Sequence, residues 1–187
     1  MTVSSPFPFV RPACAAALAA LLAAAPAAFA AAPPLLQPAR LIAAAPDDAN
    51  NAARVLAARR YASFWNSGDP DLARAALAPD FVDRTLPPGR IQGLAGALQA
   101  SRTMRAAVPD LRCEIQQMIV AGDRVVVHLR FRGRFDGRFG TVEGSGQAVD
   151  FIATDIYRIA EDRINENWHL EDNLGLMRQL GLVAPAG

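Results

Sequence analysis

The sequence predicts an α+β domain in which N-terminal helices cover one face of a curved antiparallel sheet. Apolar residues recur at three- and four-residue intervals up to Ala107, the period becomes two from Leu111 onward, and turn residues cut the second half into consecutive strands. Helices followed by antiparallel strands is the order in which helices pack on a single sheet. A strongly curved sheet with helices over its mouth encloses an apolar pocket, so residues on the concave face are the candidate lining.

Each element has a local cause. Asp47 or Asp48 can cap a first helix in which Val55, Leu56, Ala58, Tyr61, Ala62, Phe64 and Trp65 recur at helical spacing, ending at Asn66-Ser67-Gly68. Asp69-Pro70 starts a second helix, because proline at the first helical position has no N–H to leave unbonded. It runs through Leu77 and stops at Pro79-Asp80, after which Phe81 and Val82 open a brief extended stretch carrying Asp83 to the turn Pro87-Pro88-Gly89. A third helix covers about Leu94 to Ala107. Leu111, Cys113, Ile115, Gln117 and Ile119 then alternate onto one strand face, and Gly122-Asp123 turns into Val125, Val127, Leu129 and Phe131. The Gly-rich stretch from Gly133 to Gly146 has room for a short strand around Phe139 to Val142. The last strands run from Ala148 to Ala160 and from Arg163 to Asp172, joined at Glu161-Asp162, and Leu174 to Leu180 closes the chain as a short helix.

The 187 residues supply one domain and leave no room for a second. Much of the apolar content is alanine in the first forty-five positions. There Arg11 closes a short n-region, an apolar run from Ala13 to Ala28 follows, and Ala28-Phe29-Ala30 fits a small-x-small cleavage pattern. Residues 1–30 are therefore expected to be a signal peptide, 31–46 a tether without order, 47–183 the domain and 184–187 a tail. The apolar run is shorter than the roughly 20 residues a membrane span needs, and Cys14 lacks the small-residue context of a lipid anchor. The expected location is periplasmic or secreted, with no membrane anchor. Cys113 is then the one remaining cysteine, so no internal disulfide forms. All 19 basic residues are arginine, and a net charge of +1 provides no field to draw in nucleic acid.

Three segments carry a family resemblance: RRYASFWNSGDPDLARAALAPDFVDR, VPDLRCEIQQMIVAGDRVVVHLRFRG and, most specific, DIYRIAEDRINENWHLEDNLGLMRQLG. Over about Asn51 to Val183 the chain resembles the SnoaL-like polyketide cyclase and ester cyclase family, within the nuclear-transport-factor-2-like superfamily. The resemblance implies a cone-shaped barrel and, at Asp172, an acid/base residue that moves a proton in ring closure by intramolecular aldol condensation. It also implies that Asp155 and Asp83 face the pocket. Where ester cyclases usually have Gly-Thr-His, this chain reads Gly133-Arg134-Phe135.

Alternation on the last strand puts Ile164, Glu166, Trp168, Leu170 and Asp172 on one face and Asn165, Asn167, His169 and Glu171 on the other. The first set is assigned inward, where desolvation raises a carboxyl pKa toward the range useful for proton transfer. Asp172 can equally cap the closing helix. Phe151, Ala153, Asp155 and Tyr157 share one face of the preceding strand, and alternation alone does not say whether it points inward. If it does, Asp155 and Asp172 form a carboxylate pair that shares a proton; the other reading pairs Asp155 with Arg158 or Arg130 at the surface. Asp83 is either a pocket residue or part of an exposed turn. Tyr61, Trp65, Trp168, Phe151 and Tyr157 are candidate walls, and Glu166 is expected to be tied to Arg158, Tyr157 or backbone.

Other chemistries find no support in the pattern. His128 and His169 lie on different strands and both are expected outward, so no metal site and no cofactor are expected. Gly144-Ser145-Gly146 is not a nucleophile elbow, and the glycines at 133, 137, 140, 144 and 146 miss both nucleotide-loop spacings. Arg130, Arg132 and Arg134, interleaved with Asp136, Glu143 and Asp150, read as a solvated or homodimer face. The leading expectation is an exported, cofactor-independent cyclase or isomerase acting on a small apolar carbonyl substrate through an aspartate. The alternative is a non-catalytic binder of small hydrophobic molecules, and a third reading is a water-positioning epoxide hydrolase.

Overall fold

A computed structural model describes residues 1–2 and 33–184. The apolar run of the expected signal peptide and the last three residues lie outside the described residues, and the fold below concerns Pro34 onward. Its elements are β1 (Leu41–Ala43), α1 (Asn51–Ser67), α2 (Pro70–Ala76), β2 (Leu77–Asp83), α3 (Gly93–Ala107), β3 (Arg112–Ala121), β4 (Arg124–Phe135), β5 (Arg138–Phe139), β6 (Val142–Glu143), β7 (Gln147–Ala160), β8 (Arg163–Glu171) and α4 (Asn173–Gln179).

The helix ends follow local chemistry. The Asp69 carboxylate accepts from the Asp71 N–H at 2.9 Å and starts α2 with Pro70 in its first turn. Gly68 takes the left-handed conformation (φ 76°) that ends α1, and its N–H bonds the Phe64 carbonyl at 2.7 Å. A Cβ at that glycine would sit 2.8 Å from Arg105 Nε, whose guanidinium Nη2 donates to the Trp65 carbonyl at 2.7 Å. One arginine of α3 thereby locks the end of α1.

The sheet departs from expectation. Six strands run in the order β1-β3-β4-β7-β8-β2, and β5 with β6 forms a separate hairpin. The pairs β3–β4, β4–β7 and β7–β8 are antiparallel, whereas β1–β3 and β2–β8 are parallel. The expected cone-shaped, curved antiparallel sheet is therefore corrected to an open, mixed sheet that neither closes nor curls strongly. The cause is connectivity: long helical crossovers deliver β1 and β2 to opposite edges in parallel sense, and the two edges do not meet. The tether is corrected as well, since Leu41–Ala43 is an edge strand and Leu36 N–H bonds Ser63 Oγ on α1 at 2.8 Å.

Tyr61, Phe64, Val125, Val127, Leu129, Phe135 and Tyr157 are buried together between α1 and the inner sheet face. Two bulges decide which residues reach that face. In β3 the register shifts between Ile115 and Gln117, so Cys113 and Ile115 are followed inward by Met118 and Val120, and Gln117 and Ile119 leave the buried row. In β8 the pairing passes from Ile159↔Ile164 to Arg158↔Glu166, leaving Asn165 as the extra residue. Its Oδ1 accepts from the Ala160 N–H at 3.0 Å, which holds the bulge. Beyond it the alternation of β8 is inverted.

The β7–β8 turn places Glu161 and Asp162 at φ 51° and 60°, a region that strains residues with a Cβ. Replacing the pair with Asn-Gly, which tolerates this geometry, is expected to raise stability by about 1 kcal/mol. Urea unfolding checks it as a higher midpoint at unchanged slope.

Candidate functional site

Between α1, α3 and the inner faces of β4, β7 and β8 lies a cavity with aromatic walls. Tyr61 and Trp65 from α1, Phe81 from β2, Phe131 from β4 and Phe151 from β7 line it. Phe131 and Phe151 stack at 4.9 Å between centroids, and Trp65 meets Phe131 edge-on at 6.3 Å. Such packing fixes the wall through ring geometry as well as burial.

At the β7–β8 side of the cavity sits a polar cluster. Asp155, 3% exposed, is directly opposite His169 in the sheet register, and its Oδ1 lies 2.8 Å from His169 Nδ1. The same oxygen accepts from Asn167 Nδ2 at 2.9 Å, and Oδ2 accepts from the Tyr157 hydroxyl at 3.2 Å. Three donors thus replace the water that burial removed. On the far side of the imidazole, Nε2 lies 3.3 Å from Glu171 Oε2. Asn167 Oδ1 is buried with no protein partner among the described residues.

Burial acts most strongly on His169 and works to lower its pKa. The hydrogen bonds to Asp155 and Glu171 and the attraction of both carboxylates outweigh it, raising the value to about 10. The ring is therefore an imidazolium at neutral pH, donating from both nitrogens. Burial, reinforced by the Asp155 charge, pushes the Tyr61 phenol above its ordinary range, so it stays a proton-bearing donor. Tyr157 is pushed up for the same reasons.

The structure brings some of the expected residues together and removes others. Asp155, Phe151, Tyr61, Trp65 and Asp83 line the cavity, and Asp83 Oδ1 also accepts from the N–H and hydroxyl of Thr85. Tyr157 is fully buried beneath Asp155 rather than at the wall. Asp172 is corrected: it is exposed, and its carboxylate caps α4 by accepting from Gly175 N–H at 2.9 Å, an approach that Gly175 permits because a Cβ there would lie 2.2 Å from the carboxylate. The expected Asp155–Asp172 pair does not form; the partner of Asp155 is His169. Trp168 is corrected too, standing on the opposite sheet face with the Arg124 guanidinium 5.4 Å above its ring. Both corrections follow from the Asn165 bulge, which turns Asn167, His169 and Glu171 inward and Glu166, Trp168 and Leu170 outward. Glu166 bonds Arg158 at 3.0 Å and Arg84 at 3.1 Å, which holds its carboxyl below the usual range. His128 keeps its expected outward place, 2.8 Å from Thr154 Oγ1.

His169, Asn167 and Glu171 are the residues that strict alternation missed. The signal was Glu166 itself: a carboxylate at a position assigned to the core marks a strand whose period has slipped. Arg90, from the loop before α3, also lines the cavity. Among the described residues no group of three His, Cys, Asp or Glu side chains is placed to hold a metal ion, and no helix is long and apolar enough to cross a membrane.

The helices and sheet of this α+β fold enclose an aromatic chamber around a buried aspartate and a half-buried histidine. The chain belongs to the SnoaL-like polyketide cyclase family, whose model matches residues 55–180. Among solved structures it is similar to a Bacillus cereus ATCC 10987 protein assigned as a polyketide cyclase, at 36% identity over 80% of this chain and 95% of that one, with a TM-score of 0.73. It is also similar to TsrD from Streptomyces laurentii (28% identity, 71% and 98% covered, TM-score 0.64). A SnoaL-like polyketide cyclase assignment from Jannaschia sp. CCS1 matches at 25% identity, with 72% and 94% covered and a TM-score of 0.62. No curated protein sequence matches.

Two outcomes test this geometry. The folded-state pKa of His169 stands above its unfolded value near 6.5, so its contribution to stability is complete below that pH and is lost as pH rises through about 10. Urea unfolding from pH 6 to 10.5 is expected to show the stability difference between wild type and His169→Gln shrinking across that window. Asp172→Ala is expected to cost about 1 kcal/mol as a lost helix cap while leaving ligand affinity unchanged by calorimetry.

Proposed function

We propose that the protein is a cofactor-independent enzyme of the cyclase or isomerase type that moves a proton on a small apolar carbonyl compound. The observation that supports it is Asp155, sealed in an aromatic chamber and hydrogen-bonded to the His169 imidazolium. The relatives assigned as polyketide cyclases point to the same chemistry.

In this reading the Asp155 carboxylate takes a proton from the carbon next to the substrate carbonyl. The C–H bond breaks, an O–H bond forms on Asp155, and the electron pair moves onto the carbonyl oxygen as an enolate. Tyr61, which lines the chamber and keeps its phenolic proton, donates to that oxygen. For ring closure the enolate carbon attacks a second carbonyl of the same molecule, and the resulting alkoxide recovers the proton from Asp155. The walls of Trp65, Phe131 and Phe151 keep water from quenching the enolate. The leader-like run at Ala13 to Ala28 supports the further proposal that the protein works in the periplasm or outside the cell.

Deuterium incorporation tests the chemistry whatever the natural product of the reaction is. In D2O the protein is expected to accelerate exchange next to the carbonyl of apolar bicyclic ketones such as 2-tetralone, followed by NMR. Asp155→Asn is expected to lower that rate by about 10²- to 10⁴-fold with thermal unfolding little changed. Ketones that bind and are released undeuterated by the wild-type protein would instead support a non-catalytic binder.

A further inference from the structure

His169 sits where two cavities meet. The inner chamber reaches it from the Asp155 side, and an outer groove beneath α4, walled by Pro87, Met104, Phe139 and Met177, reaches it from the other; His169 and Glu171 line both. Cross-strand pairing and the Asn165 bulge set Asp155, His169 and Glu171 in a row, with Nδ1 facing inward to Asp155 and Nε2 facing Glu171. Exposure separates the inner end of the row from the other two: the Asp155 side chain is 4% exposed, whereas those of His169 and Glu171 are 28% and 22% exposed. The backbone N–H of His169 is held by Thr85 Oγ1 at 2.8 Å, which fixes the strand on the groove side.

We propose that Glu171 is the positioning residue of this site, clamping the His169 ring from the groove so that its Nδ1–H stays on Asp155 and exchanging the Nε2 proton with water of the outer groove. The inference rests on the acid/base reading of Asp155. The Nε2–H bond breaks and an O–H bond forms on Glu171 Oε2; imidazolium and carboxylate become neutral imidazole and carboxylic acid, and Glu171 passes the proton to water. A proton returning from water by the same route restores the imidazolium, and the Nδ1–H bond to Asp155 is untouched throughout, so the Nε2 proton exchanges without opening the aromatic chamber.

The geometry also fixes a tautomer. With Nε2 discharged, the neutral ring carries its proton on Nδ1, because the Asp155 oxygen accepts it there. The other charged groups lining the inner chamber are Asp83 from β2 and Arg90 from the loop before α3. Neither has a hydrogen bond or ion pair with the imidazole, so Glu171 is the one carboxylate that touches Nε2 among the described residues.

The protein has only two histidines, and ¹⁵N NMR of the imidazoles in the full chain reads the proposal directly, with His128→Gln used to assign them. Wild-type His169 is expected to titrate far above an ordinary imidazole and to yield the Nδ1–H tautomer when neutral. In Glu171→Gln the midpoint is expected to fall by at least one pH unit, and exchange of the Nε2 proton with water to slow at least tenfold at fixed pH. In Glu171→Ala added acetate is expected to restore the exchange, a rescue that a merely structural role would not produce. An unchanged midpoint and exchange rate in Glu171→Gln, or an Nε2–H tautomer in the wild type, overturns the proposal. These readouts need no substrate, so they can fail while Asp155-dependent deuteration of 2-tetralone persists, and the reverse outcome leaves the clamp standing while removing the acid/base reading.

Discussion

Asp155 is 3% exposed, and a carboxylate taken that far from water persists only where donors replace its lost hydration. Asn167, His169 and Tyr157 supply those donors, and each of the three is placed by the sheet rather than by a loop. The rest of the site follows from that requirement. The imidazole that satisfies Asp155 becomes charged and needs Glu171 beside it, and Tyr61, buried in the same chamber wall, keeps its proton. Breaking one link leaves a buried charge without compensation, which costs more than the link itself contributes.

The open, mixed sheet suits this arrangement. The four central strands are antiparallel and present alternate residues inward, so Asp155 and His169 face each other as a cross-strand pair instead of relying on distant segments to converge. The parallel edge strands β1 and β2 are delivered by crossovers that also bring α1 and α3 over the inner face. Helices that complete the sheet therefore also roof the chamber, and Arg105 ties the two of them together through the Trp65 carbonyl. On the opposite face, Arg130 pairs with Asp150 and Arg132 with Glu114, an exposed lattice of ion pairs that adds little stability in water.

Much of the architecture was legible in the sequence because it depends on local causes. Asp69-Pro70, Gly122-Asp123 and Glu161-Asp162 mark their boundaries by chemistry that acts over a few residues, and the helices and strands begin and end close to where those signals put them. The SnoaL-like resemblance carried the family. The site was harder to read. Asp155, Tyr61, Trp65, Phe151 and Asp83 reach the chamber, while Asp172 and Trp168 do not, and the difference traces to one residue, Asn165. A single bulge inverts the parity of everything after it, so an alternation rule that is right at Ile164 is wrong from Glu166 onward. The carboxylate of Glu166 at an inward position, like Gln117 in β3, was the visible sign of a slipped register.

The sequence by itself determined the α+β composition, the order of elements, the turns and caps, and the family, since each is written in neighbouring residues or in long matching segments. Only the tertiary structure decided that the sheet stays open, that Leu41–Ala43 adds an edge strand, and that the aspartate in the chamber is Asp155 with His169 as its partner. Those outcomes depend on which strand lies beside which and in what register, and pairing between residues far apart in the chain is set by the packing of the whole fold rather than by any local propensity.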